Sequence, residues 1–189
     1  MLKIVVDGTV LEMALKANTS RTGIYFVIKN ICEYLNKKED VDLKITVLPK
    51  NKLNVLNFFN KKEFLDCFDL SKVKFGKEKL IFLMPFHPPS PDLFKIQNVT
   101  FFQILYDFSF HICPELKNLN GYKYLEENLI RSLNSKSYAL CISEQTKKDL
   151  LLLSNFPSNR IGVFDLAIKN EILIEDNTNK TNKNFIKKK

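Results

Sequence analysis

The chain has 189 residues, 45% of them apolar and 26% charged, which excludes wholesale disorder and fits one domain of ordinary size better than two. Its net charge of +8 is misleading as a nucleic-acid signal. Residues 177–189 carry five lysines and no acid, leaving only +3 on residues 1–176. Cys32, Cys67, Cys113 and Cys141 are scattered without a C-x-x-C pair, and the opening MLKIVVDG has too few apolar residues for a leader. With no apolar run of bilayer length, the reading is a cytoplasmic chain with reduced thiols and no nucleic-acid partner.

Residues 2–7 (LKIVVD) read as a strand buried on both faces, ending at Asp7-Gly8. A polar loop over 17–23 leads to a helix from about Thr22 to Leu35, with Ile24, Val27, Ile28, Ile31 and Leu35 on one stripe. Residues 41–48 alternate as a second strand, stopped by Pro49. The segment 51–68 has mixed spacing and reads as helical. Residues 79–85 form a third strand and FHPPSP (86–91) a loop. Residues 98–107 give a fourth strand ending at Asp107, and a loop through Cys113-Pro114-Glu115 leads to a helix at about 120–135. Residues 137–142 form a fifth strand, Ser143 an N-cap, 144–154 a helix with Glu144 in its first turn, and 160–167 a last strand.

Six strands alternating with helical segments predict βαβ units. The expected fold is α/β: a Rossmann-like, doubly wound, mainly parallel sheet with helices on both faces. In such sheets ligands bind outside the carboxyl ends of the strands. Asp7, His87, Asp107 and Ser143 fall at those ends, and Ser20 to Gly23 open the first helix, where N–H groups and Arg21 suit an anion. Each also has a structural reading: a turn at Asp7-Gly8, a solvated charge at Arg21, packing at His87, and caps at Asp107 and Ser143. His111 lies in an aromatic loop without an evident role. No G-x-G-x-x-G, P-loop, G-x-S-x-G or zinc-ligand spacing occurs.

Four spans, taken together and in order, resemble the N-terminal half of GT-B retaining glycosyltransferases of family 4. RTGIYFVIKNICEYL (21–35) is similar to that family's Gly-Ile helix opening. ILYDFSFHICPE (104–115) resembles its strand ending in His-Asp-aliphatic, followed by Pro-Glu. SYALCISEQTKKDLL (137–151) resembles its late strand and Ser-Glu helix, and RIGVFDLAIKN (160–170) its approach to the interdomain linker. Tyr106 stands where the family usually has His, and a phenol cannot act as a near-neutral base.

The resemblance implies that residues 1–170 are the acceptor-side domain and 171–189 a linker or basic tail. The donor-binding domain is absent from this sequence, so negligible transfer is expected from the chain alone. It implies a catalytic Asp107 near the acceptor hydroxyl. Arg21, Thr22 and Gly23 would approach the donor phosphates, and His87, Tyr106, Ser143 and Glu144 would also contact substrate. No metal or resident cofactor is implied; the nucleotide-sugar is a substrate. The implied partners are a glycan or lipid-linked acceptor in surface polysaccharide or lipopolysaccharide synthesis, and a separate donor-binding domain. The Phe- and Lys-containing stretch 53–68 reads first as a helix packed on the sheet, because its charges include acids, with weak peripheral membrane contact as the other reading. The alternative is a non-catalytic Rossmann-like module that docks a partner or ligand.

Overall fold

A computed structural model describes residues 1–16, 23–47, 65–66, 79–89, 91–113, 115, 120–164 and 166. The strands are β1 (Leu2–Asp7), β2 (Val41–Val47), β3 (Leu65–Asp66), β4 (Leu80–Met84), β5 (Val99–Leu105), β6 (Ser137–Cys141) and β7 (Ile161–Val163). The helices are α1 (Thr9–Lys16), α2 (Gly23–Asn36), the single turn α3 (Ser109–Ile112), α4 (Asn120–Ser132) and α5 (Glu144–Leu153). The strands form one sheet in the order β3-β2-β1-β4-β5-β6-β7, and every neighbouring pair is parallel. The strand order reverses beside β1, where β2 lies on one side and β4 on the other. This is the Rossmann-like, doubly wound α/β fold that the alternating pattern predicts.

Burial follows from the pleat. Successive residues of a strand point to opposite faces, and a parallel sheet needs both faces covered. On one face Ile4, Val6, Leu43, Ile45 and Ile104 pack against Leu11 and Ala14 of α1 and Ile28 and Cys32 of α2. On the other, Leu105, Ala139 and Cys141 pack against Leu129 of α4 and Leu150 of α5. Val5, Phe82 and Phe101 continue that second face beneath Leu93. The phenylalanine-rich composition appears here as ring contacts, with Phe82 and Phe94 each against Phe101 at 5.9 and 4.8 Å.

Several sequence expectations are corrected. The segment 51–68 is not helical throughout, because Leu65–Asp66 pairs with Thr46 and Val47 as an edge strand; residues 51–64 lie outside the described set. The eight residues after Gly8, left unassigned by their spacing, form α1. β5 ends at Leu105, so Asp107 stands two residues beyond it. β7 is only three residues long, Ile161–Val163, instead of 160–167. Arg21, Thr22, Cys67, Pro114, the tail 171–189 and most of the proposed interfacial stretch 53–68 lie outside the described residues. Among the described residues, no helix is long and apolar enough to cross a membrane.

Gly8 joins β1 to α1 under a tight constraint. Its N–H donates to the Thr46 carbonyl at 3.1 Å, and its own carbonyl accepts the first bond of α1 from the Glu12 N–H at 3.0 Å. A Cβ here would lie 2.3 Å from the Thr46 carbonyl oxygen and 2.7 Å from Ile45 Cγ2. The obstruction is backbone and cannot rotate away. Gly8→Ala is therefore expected to destabilise the domain by about 1–3 kcal/mol, the usual cost of forcing an extra carbon into a packed region. The check is a lower urea midpoint with the slope unchanged.

Candidate functional site

The parallel register sends the carboxyl end of every strand, and the start of each following helix, to one edge. There the structure separates residues held by structural work from residues left free. Asp7 belongs to the first group. Its Oδ1 accepts from the Thr9 N–H at 3.2 Å, the Thr9 hydroxyl at 2.6 Å and the Thr46 hydroxyl at 3.4 Å. The side chain is buried and fastens the start of α1 to β2. Of the two readings of Asp7, the structural one fits these bonds.

Ser143 is likewise used as a cap. Its Oγ accepts the Thr146 N–H at 3.0 Å, the bond expected of an N-cap at the start of α5. Thr146 then passes the connection on, its hydroxyl donating to the Tyr106 carbonyl at 2.9 Å. Glu144 is exposed in the first turn of α5. His87 follows β4 and its ring meets the edge of Phe86 at 4.8 Å. Gly23 opens α2, and nothing lies within 4 Å of where its Cβ would be.

Asp107 differs from these. It is exposed, and one carboxylate oxygen accepts from the N–H and hydroxyl of Ser109, holding the first turn of α3. Its other oxygen accepts no hydrogen bond among the described residues. A strand-end carboxylate is therefore fixed in place by one oxygen and open at the other.

Beside it is a cavity of about 170 Å³, lined by Ile24, Phe86, Tyr106, Asp107, Phe110, Leu125, Glu126 and Leu129. Five elements meet there: the first turn of α2, the loop after β4, the end of β5, α3 and α4. The cavity brings Tyr106 and Asp107 together, and with them Ile24, the neighbour of Gly23, and Phe86, the neighbour of His87. It does not include Ser143, Glu144 or His87.

The residue that sequence reasoning missed is Glu126. Its Oε1 accepts the Phe110 N–H at 3.2 Å and its Oε2 meets His111 Nδ1 at 2.6 Å. One buried carboxylate on α4 thus holds the turn that follows Asp107. Against an ionised carboxylate, the His111 Nδ1–H is the donor of this bond. This also gives His111 the role its sequence context left open. A signal was available: Glu126 falls at helical spacing from Leu129, Ile130 and Leu133, and an acid on an apolar stripe needs a partner.

Tyr106 carries the clearest electrostatic anomaly. Its hydroxyl is buried and finds no hydrogen-bond partner among the described residues. Burial raises its pKa well above the ordinary 10.0, so it stays a neutral phenol across the physiological range. The nearby Cys141 thiol is pushed up to about 11, mainly by burial; Lys147 lowers it and Glu144 raises it further. A thiol so far above neutrality is a poor nucleophile.

A larger hollow, about 450 Å³, lies at the opposite edge between the approaches to β6 and β7. Its Arg160 donates to the Ser135 carbonyl at 2.6 Å and stands where α4 and α5 end, a structural use of a cation. Among the described residues, no group of three His, Cys, Asp or Glu side chains could hold a metal ion.

No protein-family model matches the chain, and no solved structure matches it. Among curated proteins it is similar to the O-antigen chain mannosyltransferase B of Escherichia coli, at 29% identity over 68 residues. That stretch is 36% of this chain and 18% of the relative's length, so the likeness covers a minor part of each.

An orphaned buried hydroxyl costs about 1–3 kcal/mol. Tyr106→Phe should therefore leave stability at pH 7 unchanged or raise it within that range, read from urea unfolding. The pH dependence has a definite sign. Tyr106 and Cys141 both have folded-state pKa values above their unfolded ones, 10.0 and 9.0. The folded state keeps protons that the unfolded chain releases, so this contribution is complete below pH 9 and declines as pH rises beyond it. Tyr106→Phe should flatten the upper part of that decline, measured as unfolding free energy against pH from 8 to 11.

Proposed function

We propose that this chain is the acceptor-binding half of a GT-B glycosyltransferase of family 4 type. It would transfer a sugar from a nucleotide-sugar to a glycan or lipid-linked acceptor in surface polysaccharide synthesis, of the lipopolysaccharide kind. The observation that carries the reading is the juxtaposition of Asp107, with one carboxylate oxygen free, and a cavity of ring-like size at the carboxyl edge of a doubly wound sheet. The similarity to an O-antigen mannosyltransferase supports the same chemistry.

In this reading the acceptor's terminal ring occupies the cavity and its reacting hydroxyl faces Asp107. The free oxygen accepts that hydroxyl's proton as the new glycosidic bond forms, and the oxygen bonded to Ser109 fixes the carboxylate's direction. Glu126 acts through the backbone, holding the turn after Asp107 by the Phe110 N–H. A donor-binding domain, on the same polypeptide or a separate one, supplies the nucleotide-sugar and the groups that receive the departing diphosphate. Positioning of two substrates is worth about 7–11 kcal/mol of barrier, which one half cannot provide. The chain alone is therefore proposed to have negligible transferase activity. The reaction belongs on the cytoplasmic side, with weak contact to the membrane surface where the acceptor is lipid-linked.

In the assembled two-domain enzyme, Asp107→Asn keeps the shape and removes the proton acceptor. Transfer of radiolabelled sugar to acceptor should fall by roughly 10²–10⁴-fold, the usual worth of general base catalysis. The acceptor KM should change far less. Wild-type turnover in that variant would refute Asp107 as the base.

A further inference from the structure

The cavity's lining is more apolar than an ordinary hexose would want, and this narrows the ligand. We infer that the cavity takes a neutral pyranose ring carrying a methyl group, either a 6-deoxy sugar or an acetamido sugar; the inference rests on the acceptor-site reading above.

Size sets the first limit. At about 170 Å³ the cavity is smaller than the roughly 300–1,000 Å³ that holds a whole drug-sized ligand. One ring fits; an oligosaccharide does not. Charge sets the second limit. Asp107 and Glu126 are carboxylates, and no lysine or arginine is among the described lining residues. A phosphate or uronate would bring further negative charge beside these carboxylates, with no lysine or arginine among the described lining residues to meet it.

Hydrogen-bond capacity sets the third. Both Glu126 oxygens already accept, from the Phe110 N–H and from His111 Nδ1. One Asp107 oxygen already accepts two donors from Ser109. The Tyr106 hydroxyl is closed off from solvent and so from a ligand in this arrangement. Among the described lining residues, what remains is chiefly one Asp107 oxygen, facing a wall of Ile24, Phe86, Phe110, Leu125 and Leu129. A hexose with all its hydroxyls would bury some of them without partners. A 6-deoxy ring has CH3 in place of CH2OH and so removes such a donor, whereas an acetamido ring keeps a single N–H but ends in a methyl. Either ring sets a methyl against the aliphatic and aromatic wall, while the reacting hydroxyl still reaches Asp107.

The test uses the 189-residue chain with methyl glycosides and methyl-labelled Ile and Leu. The probes are methyl rhamnoside (6-deoxy), methyl N-acetylglucosaminide, methyl mannoside, methyl glucuronide and mannose 6-phosphate. The expected result is that the rhamnoside or the N-acetylglucosaminide shifts the methyl resonances of Ile24, Leu125 and Leu129. That glycoside should bind at least tenfold more tightly than the mannoside, with saturation transfer strongest at its own methyl. Which of the two does so identifies the source of the methyl group. Equal or tighter binding of the mannoside, or binding of either charged sugar at those resonances, overturns the inference and leaves the acceptor-site reading standing. If no glycoside perturbs those three residues at any soluble concentration, the inference and that reading fall together.

Discussion

Everything at the functional edge is placed relative to β1, which is hydrogen-bonded along both sides by parallel partners. Parallel pairing leaves no freedom about where strand ends go: once β2 and β4 lie beside β1 in register, all their carboxyl ends share one edge. Gly8 then brings the chain round from β1 into α1 so closely against Thr46 that no side chain fits. Asp7 locks the same corner with three hydrogen bonds. The corner at the reversal of strand order, where a ligand site is commonly found in such folds, is here largely filled by structural contacts. The open carboxylate appears two strands away, after β5.

That displacement explains the division of labour among the acids. Asp7 is buried and its Oδ1 gathers three donors that fasten α1 to β2, a structural use of the carboxylate. Glu126 is engaged through both oxygens, and that engagement maintains the turn beyond Asp107. Asp107 differs from Asp7, whose three donors all converge on Oδ1, in being exposed and in lining the cavity. The Ser143–Thr146–Tyr106 chain of hydrogen bonds ties α5 to the same region through the backbone carbonyl of Tyr106. The end of β5 is thereby held from both α4 and α5.

Much of the fold is legible in the sequence because buried parallel strands and amphipathic helices have strong periodic signals, as in LKIVVD, VTFFQIL and the Ile24 to Leu35 stripe. Where the signal is short it disappears. A two-residue strand at Leu65–Asp66 has no period, and its identity depends on β2 being there to pair with it. The eight residues of α1 follow immediately on a strand and include the buried acid Glu12, so their stripe is easily read as loop. The site was legible to the extent that topology dictates it: strand-end polar residues mark the edge. The cavity itself was not, because Leu125, Glu126 and Leu129 come from a helix some twenty residues further along. Their meeting with Tyr106 is a fact of packing that sequence spacing cannot express.

The cavity's composition has one more consequence. Six of its eight described lining residues, Tyr106, Asp107, Phe110, Leu125, Glu126 and Leu129, fall within a single stretch of chain between β5 and the end of α4. That stretch is anchored to itself by the Glu126 contacts to Phe110 and His111. Most of the described cavity lining is thus contributed by one stretch of chain, with Ile24 and Phe86 added from elsewhere. Within that stretch Phe108 and Leu129 are also core residues, so the cavity's shape can vary at Phe110 and Leu125 more readily than at the positions that cover the sheet.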